Sequence, residues 1–142
     1  MNMDERVATL LAVLTLMLAA SPALADDLTG SRTLLCTTVQ TTVCFDEGEC
    51  ITGPPWRWNI PQFIIVDLEQ GELRTTKASG ENRTTPIKNM ERSDGQIVLQ
   101  GVELRRAFSF VIHESSGEAS IAVALDGVAI AAFGACTPFA QE

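Results

Sequence analysis

Polar and apolar residues alternate along most of this chain, and glycine-bearing turn signals interrupt the alternation roughly every 8 to 12 residues. That rhythm predicts β-strands over residues 33–45, 63–68, 73–78, 83–91, 96–104, 106–114, 119–125 and 128–136, with no helix among them. The turns fall at Gln70-Gly71, Ser79-Gly80-Glu81-Asn82, Ser93-Asp94-Gly95, Ser115-Ser116-Gly117 and Asp126-Gly127. Each offers a glycine for positive φ, or a short polar side chain that bonds its own backbone. Eight consecutive strands joined by short connections make an all-β antiparallel meander. The expected architecture is an eight-stranded barrel, because closure removes the two adhesive edges of an open sheet. A two-sheet β-sandwich is the competing arrangement.

Period-two parity assigns the faces. In the run from Arg105 to Glu114, Phe108, Phe110 and Ile112 share one face, while Ala107, Ser109, Val111 and His113 share the other. In the run from Gln96 to Leu104 the apolar parity switches at Gly101, which predicts a β-bulge at that glycine. On the first strand Leu35, Val39 and Val43 point one way and Cys36, Thr38 and Gln40 the other.

The N-terminus breaks this pattern. Val7 to Ala20 is a 14-residue apolar run interrupted only by Thr9 and Thr15, followed by Pro22 and the small-residue triplet Ala23-Leu24-Ala25. The run is short of the roughly 20 residues that span a bilayer, and its A-x-A ending reads as a secretory signal removed before Asp26. Residues 1–25 are therefore expected to be a signal peptide helix and residues 26–142 a single domain of periplasmic or secreted location.

Cysteine usage fits export. Cys36, Cys44, Cys50 and Cys136 form an even set in a short chain, which implies two disulfides. Cys36 and Cys44 lie on one extended strand, about 26 Å apart at the usual rise, and so do not pair. Of the two remaining connectivities, Cys44–Cys50 with Cys36–Cys136 is preferred. The first pins an acidic loop and the second ties the first strand to the last. Parity then places both members of the long-range bridge outside, with Val39 and Phe133 inside. There is no C-x-x-C, and the single histidine is remote from every cysteine in sequence, which argues against a metal site. No cofactor is expected.

Charge excludes one class of partner. The chain carries a formal net charge of −8, which loss of Asp4, Glu5 and Arg6 changes by one unit. With no basic cluster, such a surface repels nucleic acid.

Candidate chemistry is sparse. His113 has only Ser115 and Ser116 near it in sequence, without a nucleophile elbow, and reads as a solvated strand-end residue. Asp46, Glu47 and Glu49 crowd one glycine-containing loop and read as solvated acids. A non-enzymatic protein is therefore expected. The segment "GPPWRWNIPQ", residues 53 to 62, holds both tryptophans. In an extended loop Trp56 and Trp58 fall on one side with Arg57 between them. They form either a lip that binds a small apolar ligand, with Arg57 on an acidic head group, or a plug that packs into the barrel end. Tryptophan and arginine are also interface residues. The alternative function is accordingly a protein-interaction module, such as a periplasmic enzyme inhibitor or an accessory protein of an envelope complex.

The order of Cys36, Cys44 and Cys50, then Ile60-Pro61-Gln62-Phe63, Thr85-Pro86-Ile87, Leu99-Gln100-Gly101-Val102-Glu103 and the terminal Phe133-Gly134-Ala135-Cys136-Thr137 resembles a group of small exported proteobacterial proteins. The resemblance spans nearly the whole of residues 26–142. It implies a Gram-negative, periplasmic setting and a compact disulfide-tied β-domain, and it implies no activity. The chain departs from that pattern at Ala107-Phe108-Ser109 and in the tryptophan-bearing segment.

Overall fold

The structure is a computed structural model that describes residues 27–140; the expected signal peptide lies outside them. Ten strands form one antiparallel sheet curled into a half-barrel: β1 (Thr33–Phe45), β2 (Cys50–Gly53), β3 (Phe63–Asp67), β4 (Glu72–Thr75), β5 (Thr84–Pro86), β6 (Asn89–Ser93), β7 (Gln96–Glu103), β8 (Arg106–His113), β9 (Glu118–Leu125) and β10 (Val128–Pro138). Their order across the sheet is β5-β4-β3-β1-β10-β9-β8-β7-β6, with β2 pairing only the upper part of β1. Among the described residues no helix is long and apolar enough to cross a membrane.

The meander is as expected, with first and last strands side by side. The expected strand over 83–91 is broken, however. Its first part, β5, pairs with β4, and its second part, β6, pairs with β7. Between them Pro86 has no N–H to give to a ladder. The Ile87 N–H instead bonds the Gly71 carbonyl and the Lys88 N–H bonds the Gln100 carbonyl, so the chain steps from one edge of the sheet to the other. The seam of the half-barrel therefore lies where the sequence reads as one strand.

Two further expectations are corrected. Gly101 is not a bulge, since the β7–β8 register runs unbroken from Gln96–His113 to Glu103–Arg106. It continues the inward face after Ile97 and Leu99. A Cβ there would lie 2.7 Å from the Phe108 ring and 3.0 Å from the Pro86 carbonyl, so glycine is required by close approach across the seam. The bulge is instead in β1, between Thr38 and Gln40. It shifts the parity of everything before it. Cys36 is therefore buried and Val39 exposed; on β10, whose alternation runs unbroken through Ile130, Ala132 and Cys136, Cys136 is buried and Phe133 exposed, the reverse of the parity reading. Opposite the bulge sits Gly134, where any Cβ would run into the Thr37 carbonyl.

Both preferred disulfides, Cys36–Cys136 and Cys44–Cys50, are present, and both join directly opposed strand residues. Such bridges indicate an oxidising, non-cytoplasmic compartment.

The core falls into two clusters. The lower one gathers Leu34, Val66, Ile97, Leu99, Phe110 and Ile112 around the Cys36–Cys136 bridge, with Leu28 as a stopper from the N-terminal side. Leu28 is fully buried; its N–H bonds the Glu114 carbonyl and its own carbonyl accepts from Arg92, which also pairs with Glu114. The upper cluster joins Val43, Ile60, Val123 and Ile130, with Phe45 and Trp58 packed against it. Phe108 and Ile121 touch both.

Candidate functional site

The segment after β2 crosses over the upper end of the half-barrel as a 3-10 turn, Pro55–Trp58, and not as an extended lip. Proline at the first position suits such a turn, because its φ is preset and its missing N–H has no partner to lose. Asn59, in the left-handed conformation at φ 55°, ends the turn and drops Ile60 into the upper core. The two tryptophans, two residues apart, therefore diverge. Trp56 is 70% exposed, whereas Trp58 packs edge-on to Phe45 with ring centroids 6.4 Å apart. Arg57 lies over the Trp58 ring at 5.2 Å, so its charge is engaged with the turn itself. The Trp58 indole N–H is buried with no protein partner.

Trp58→Ala should accordingly cost about 2–3 kcal/mol, below the 3–5 of a fully buried aromatic, and Trp56→Ala less than about 1. Trp58→Phe should be milder than Trp58→Ala, because it keeps the ring and removes an unpaired donor. Urea titrations of the three variants check this order. Equal losses at positions 56 and 58 would contradict it.

None of Trp56, Arg57 and Trp58 lines the apolar recess that the fold creates. That recess lies between the two core clusters, beneath Asn59, Ile60 and Pro61. Its walls are Ile64, Leu73, Phe108, Phe110, Ile121 and Val123, and its volume is about 70 Å³. A shallower extension of about 60 Å³ continues along Leu73 toward Arg74 and Thr75.

At the mouth stands a network that spans the seam. Arg83 donates to both carboxylate oxygens of Glu103, at 3.1 and 2.6 Å. Thr85 donates to Glu103 Oε1 at 2.8 Å and Arg106 to Oε2 at 3.2 Å. The arginines also reach up to the turn: Arg83 to the Asn59 carbonyl and side chain, Arg106 to the carbonyls of Trp58 and Asn59. Both guanidiniums are largely buried, at 19% and 12% exposure. Glu81 approaches Arg83 only at 3.6 Å and is itself well exposed, so it neutralises little. The enclosed part of the site thus holds two positive charges for one negative, within a strongly acidic chain.

Burial acts to raise the Glu103 pKa. The hydrogen bonds from Arg83 and Thr85 and the charges of Arg83 and Arg106 outweigh it, so Glu103 sits below the ordinary glutamate value. A carboxylate depressed on folding contributes stability that is full above its unfolded pKa, near 4.5, and is lost as pH falls through the lower folded value. Glu103→Gln should flatten that part of the acid limb. Urea melts between about pH 3 and about pH 6 measure the slope, and an unaltered slope would exclude Glu103 as its source.

No family model, no curated protein and no solved structure matches the chain. The site is therefore read from its geometry.

The other sequence candidates lie outside it. Asp46, Glu47 and Glu49 are exposed on the β1–β2 turn held by Cys44–Cys50. His113 is exposed at the end of β8, with the hydroxyls of Ser115 and Ser116 at 3.2 and 3.1 Å from Nδ1. Glu118 meets Ser116 at 3.5 Å, so the serine stands between acid and imidazole and the carboxylate does not align the ring. Sequence reasoning missed Arg83, Glu103 and Arg106. Arg83 and Glu103 are 20 positions apart, and only the curl of the sheet brings them together.

Proposed function

We propose that this chain is a non-enzymatic binding domain of the periplasm or the cell exterior, and that it holds the short apolar end of a small anionic molecule in the recess beneath Asn59–Pro61. One observation carries the reading: an apolar recess opens at a network with two enclosed guanidiniums and a single carboxylate. Apolar walls with a few oriented polar groups are the usual make-up of small-ligand sites. An incoming carboxylate or phosphate would share Arg83 and Arg106 with Glu103, and arginine forks suit such bidentate contacts. Volume limits the other end. A recess of about 70 Å³, with about 60 Å³ more in the extension along Leu73, takes a short alkyl or small ring, not the length of a fatty acid. The expected role of Arg57 at a head group thus passes to Arg83 and Arg106.

Titration with hexanoate and with 1-hexanol tests the reading. Hexanoate should bind at least about tenfold more tightly, since only it engages the guanidiniums. Glu103→Gln should strengthen hexanoate by freeing them. Equal binding of the two probes, or none of hexanoate, would contradict the proposal.

A second reading rests on the exposed apolar groups at the same end. Leu104 and Arg105 form the β7–β8 turn with φ of 49° and 65°, a conformation that costs non-glycine residues about 1 kcal/mol or more each. Leu104 is 69% exposed, and with Trp56 it gives this end two large apolar side chains suited to a protein partner. A protein partner would be lost on Trp56→Ala and Leu104→Asp. Hexanoate binding would survive both.

A further inference from the structure

The middle of the outer face of β8, β9 and β10 carries no charge. Its outward side chains form a register-matched grid: Ala107, Ala124 and Ala129 in one row, Ser109, Ala122 and Ala131 in the next. The third row is Val111, Ser120 and Phe133. The flanking residues on β7 and β1 that extend these rows, Val98 through Val102 and Gln40 through Cys44, add no charge on this side. All nine grid positions are exposed or half-buried, and Phe133 is 55% exposed. Charge returns at the margins: at Glu118 on β9 below the third row, at Glu91 on β6 opposite Val98, and at Arg105 and Asp126 in the turns above. An uncharged, solvent-facing sheet surface is unusual for any chain and more so for one of net charge −8.

We infer that this face is where a second copy of the chain docks, sheet against sheet, about a two-fold axis. Three observations favour a second copy. First, two chains of the same strong negative charge repel least across an uncharged patch, and the nine grid positions carry no charge, with Glu118 and Glu91 only at their margins. Second, the face complements itself. Phe133 projects from one end of the grid, while Ala124 and Ala129 carry only methyl groups at the other, about 13 Å away along the strand at the usual rise. A two-fold axis through the middle row, at Ala122 and Ala131, sets each Phe133 over the partner's small alanine row, as an isologous contact requires. Third, the area suits a reversible pair. Five strands at about 4.8 Å spacing and three rows along them give roughly 400–500 Å² per copy. That makes on the order of 1,000 Å² in all, the low end of specific interfaces. The expected dimer is therefore concentration-dependent and forms in the micromolar range. Its contact contains no ion pair, so salt strengthens it by screening the repulsion between the two acidic bodies.

Sedimentation velocity tests this on protein recovered from cells that express the full chain, with intact mass recording its N-terminus. The wild type should pass from monomer to dimer with concentration, and association should tighten as sodium chloride rises from about 50 to about 500 mM. Ala122→Glu, which sets two carboxylates near the axis, should weaken the dimer at least tenfold. Phe133→Ala, which removes the knob without adding charge, should weaken it several-fold and covers the case in which the first variant does not fold. Gln70→Glu, exposed in the turn between β3 and β4, should leave it unchanged. A monomer at all concentrations would overturn the inference. So would a dimer that salt dissociates, or one that the two grid variants leave intact.

Discussion

Replacing Cys36 and Cys136 together by alanine should lower the free energy of unfolding by about 4.7 kcal/mol. The bridge closes a loop of sequence separation 100, and the chain-entropy model scales with the logarithm of that length. Cys44–Cys50, at separation 6, should be worth only about 2 kcal/mol by the same relation. A domain of this size has a total of about 5–15 kcal/mol, so the long bridge holds a large share. The folded state itself should change little. β1 and β10 are paired from Leu34–Pro138 to Phe45–Val128, so the ladder persists without the covalent link. The signature is thus a lower urea midpoint with native-like near-ultraviolet circular dichroism in water. The two sulfurs also sit in the lower core cluster, so alanine adds a small packing loss. Equal losses for the two bridges would contradict the loop-length argument.

The second large effect is expected at Phe110. Its ring is 1% exposed, packs in the lower core and forms one wall of the recess. Phe110→Ala should cost about 3–5 kcal/mol, the transfer loss of the ring plus the cavity it leaves. It should also lengthen the recess, so that octanoate gains on hexanoate relative to wild type. Unfolding melts measure the first effect and paired titrations the second. A large stability loss with no change in chain-length preference would place the ligand elsewhere.

Most strands were legible because β-branched residues alternate with polar ones and glycine turns punctuate them. β2 was not, since four residues next to a loop carry no period. The break between β5 and β6 had its signal in Pro86, which a continuous strand would not tolerate away from an edge. The bulge at Val39 carried no mark on its own strand. Its mark was Gly134 on the facing strand, which becomes meaningful only once the β1–β10 register is known. The unseen bulge reversed the face of Cys36, and putting its partner Cys136 on the same wrong face reversed Phe133 with it, while the pairing Cys36–Cys136 stayed correct, because pairing depends on register and not on face. The site was least legible. Trp56 and Trp58 attracted notice as rare residue types, yet the 3-10 turn separates them. Arg83, Glu103 and Arg106 look like ordinary strand-end charges until the seam folds them together.

On the proposed reading, a ligand enters the interior recess and not the tryptophan turn. Methyl-resolved NMR of the protein titrated with hexanoate tests it most directly. Saturable shifts at the methyls of Ile64, Ile121 and Val123, with the Trp56 indole unmoved, are the predicted result. Shifts confined to Trp56 and Leu104, with the recess methyls silent, would contradict it.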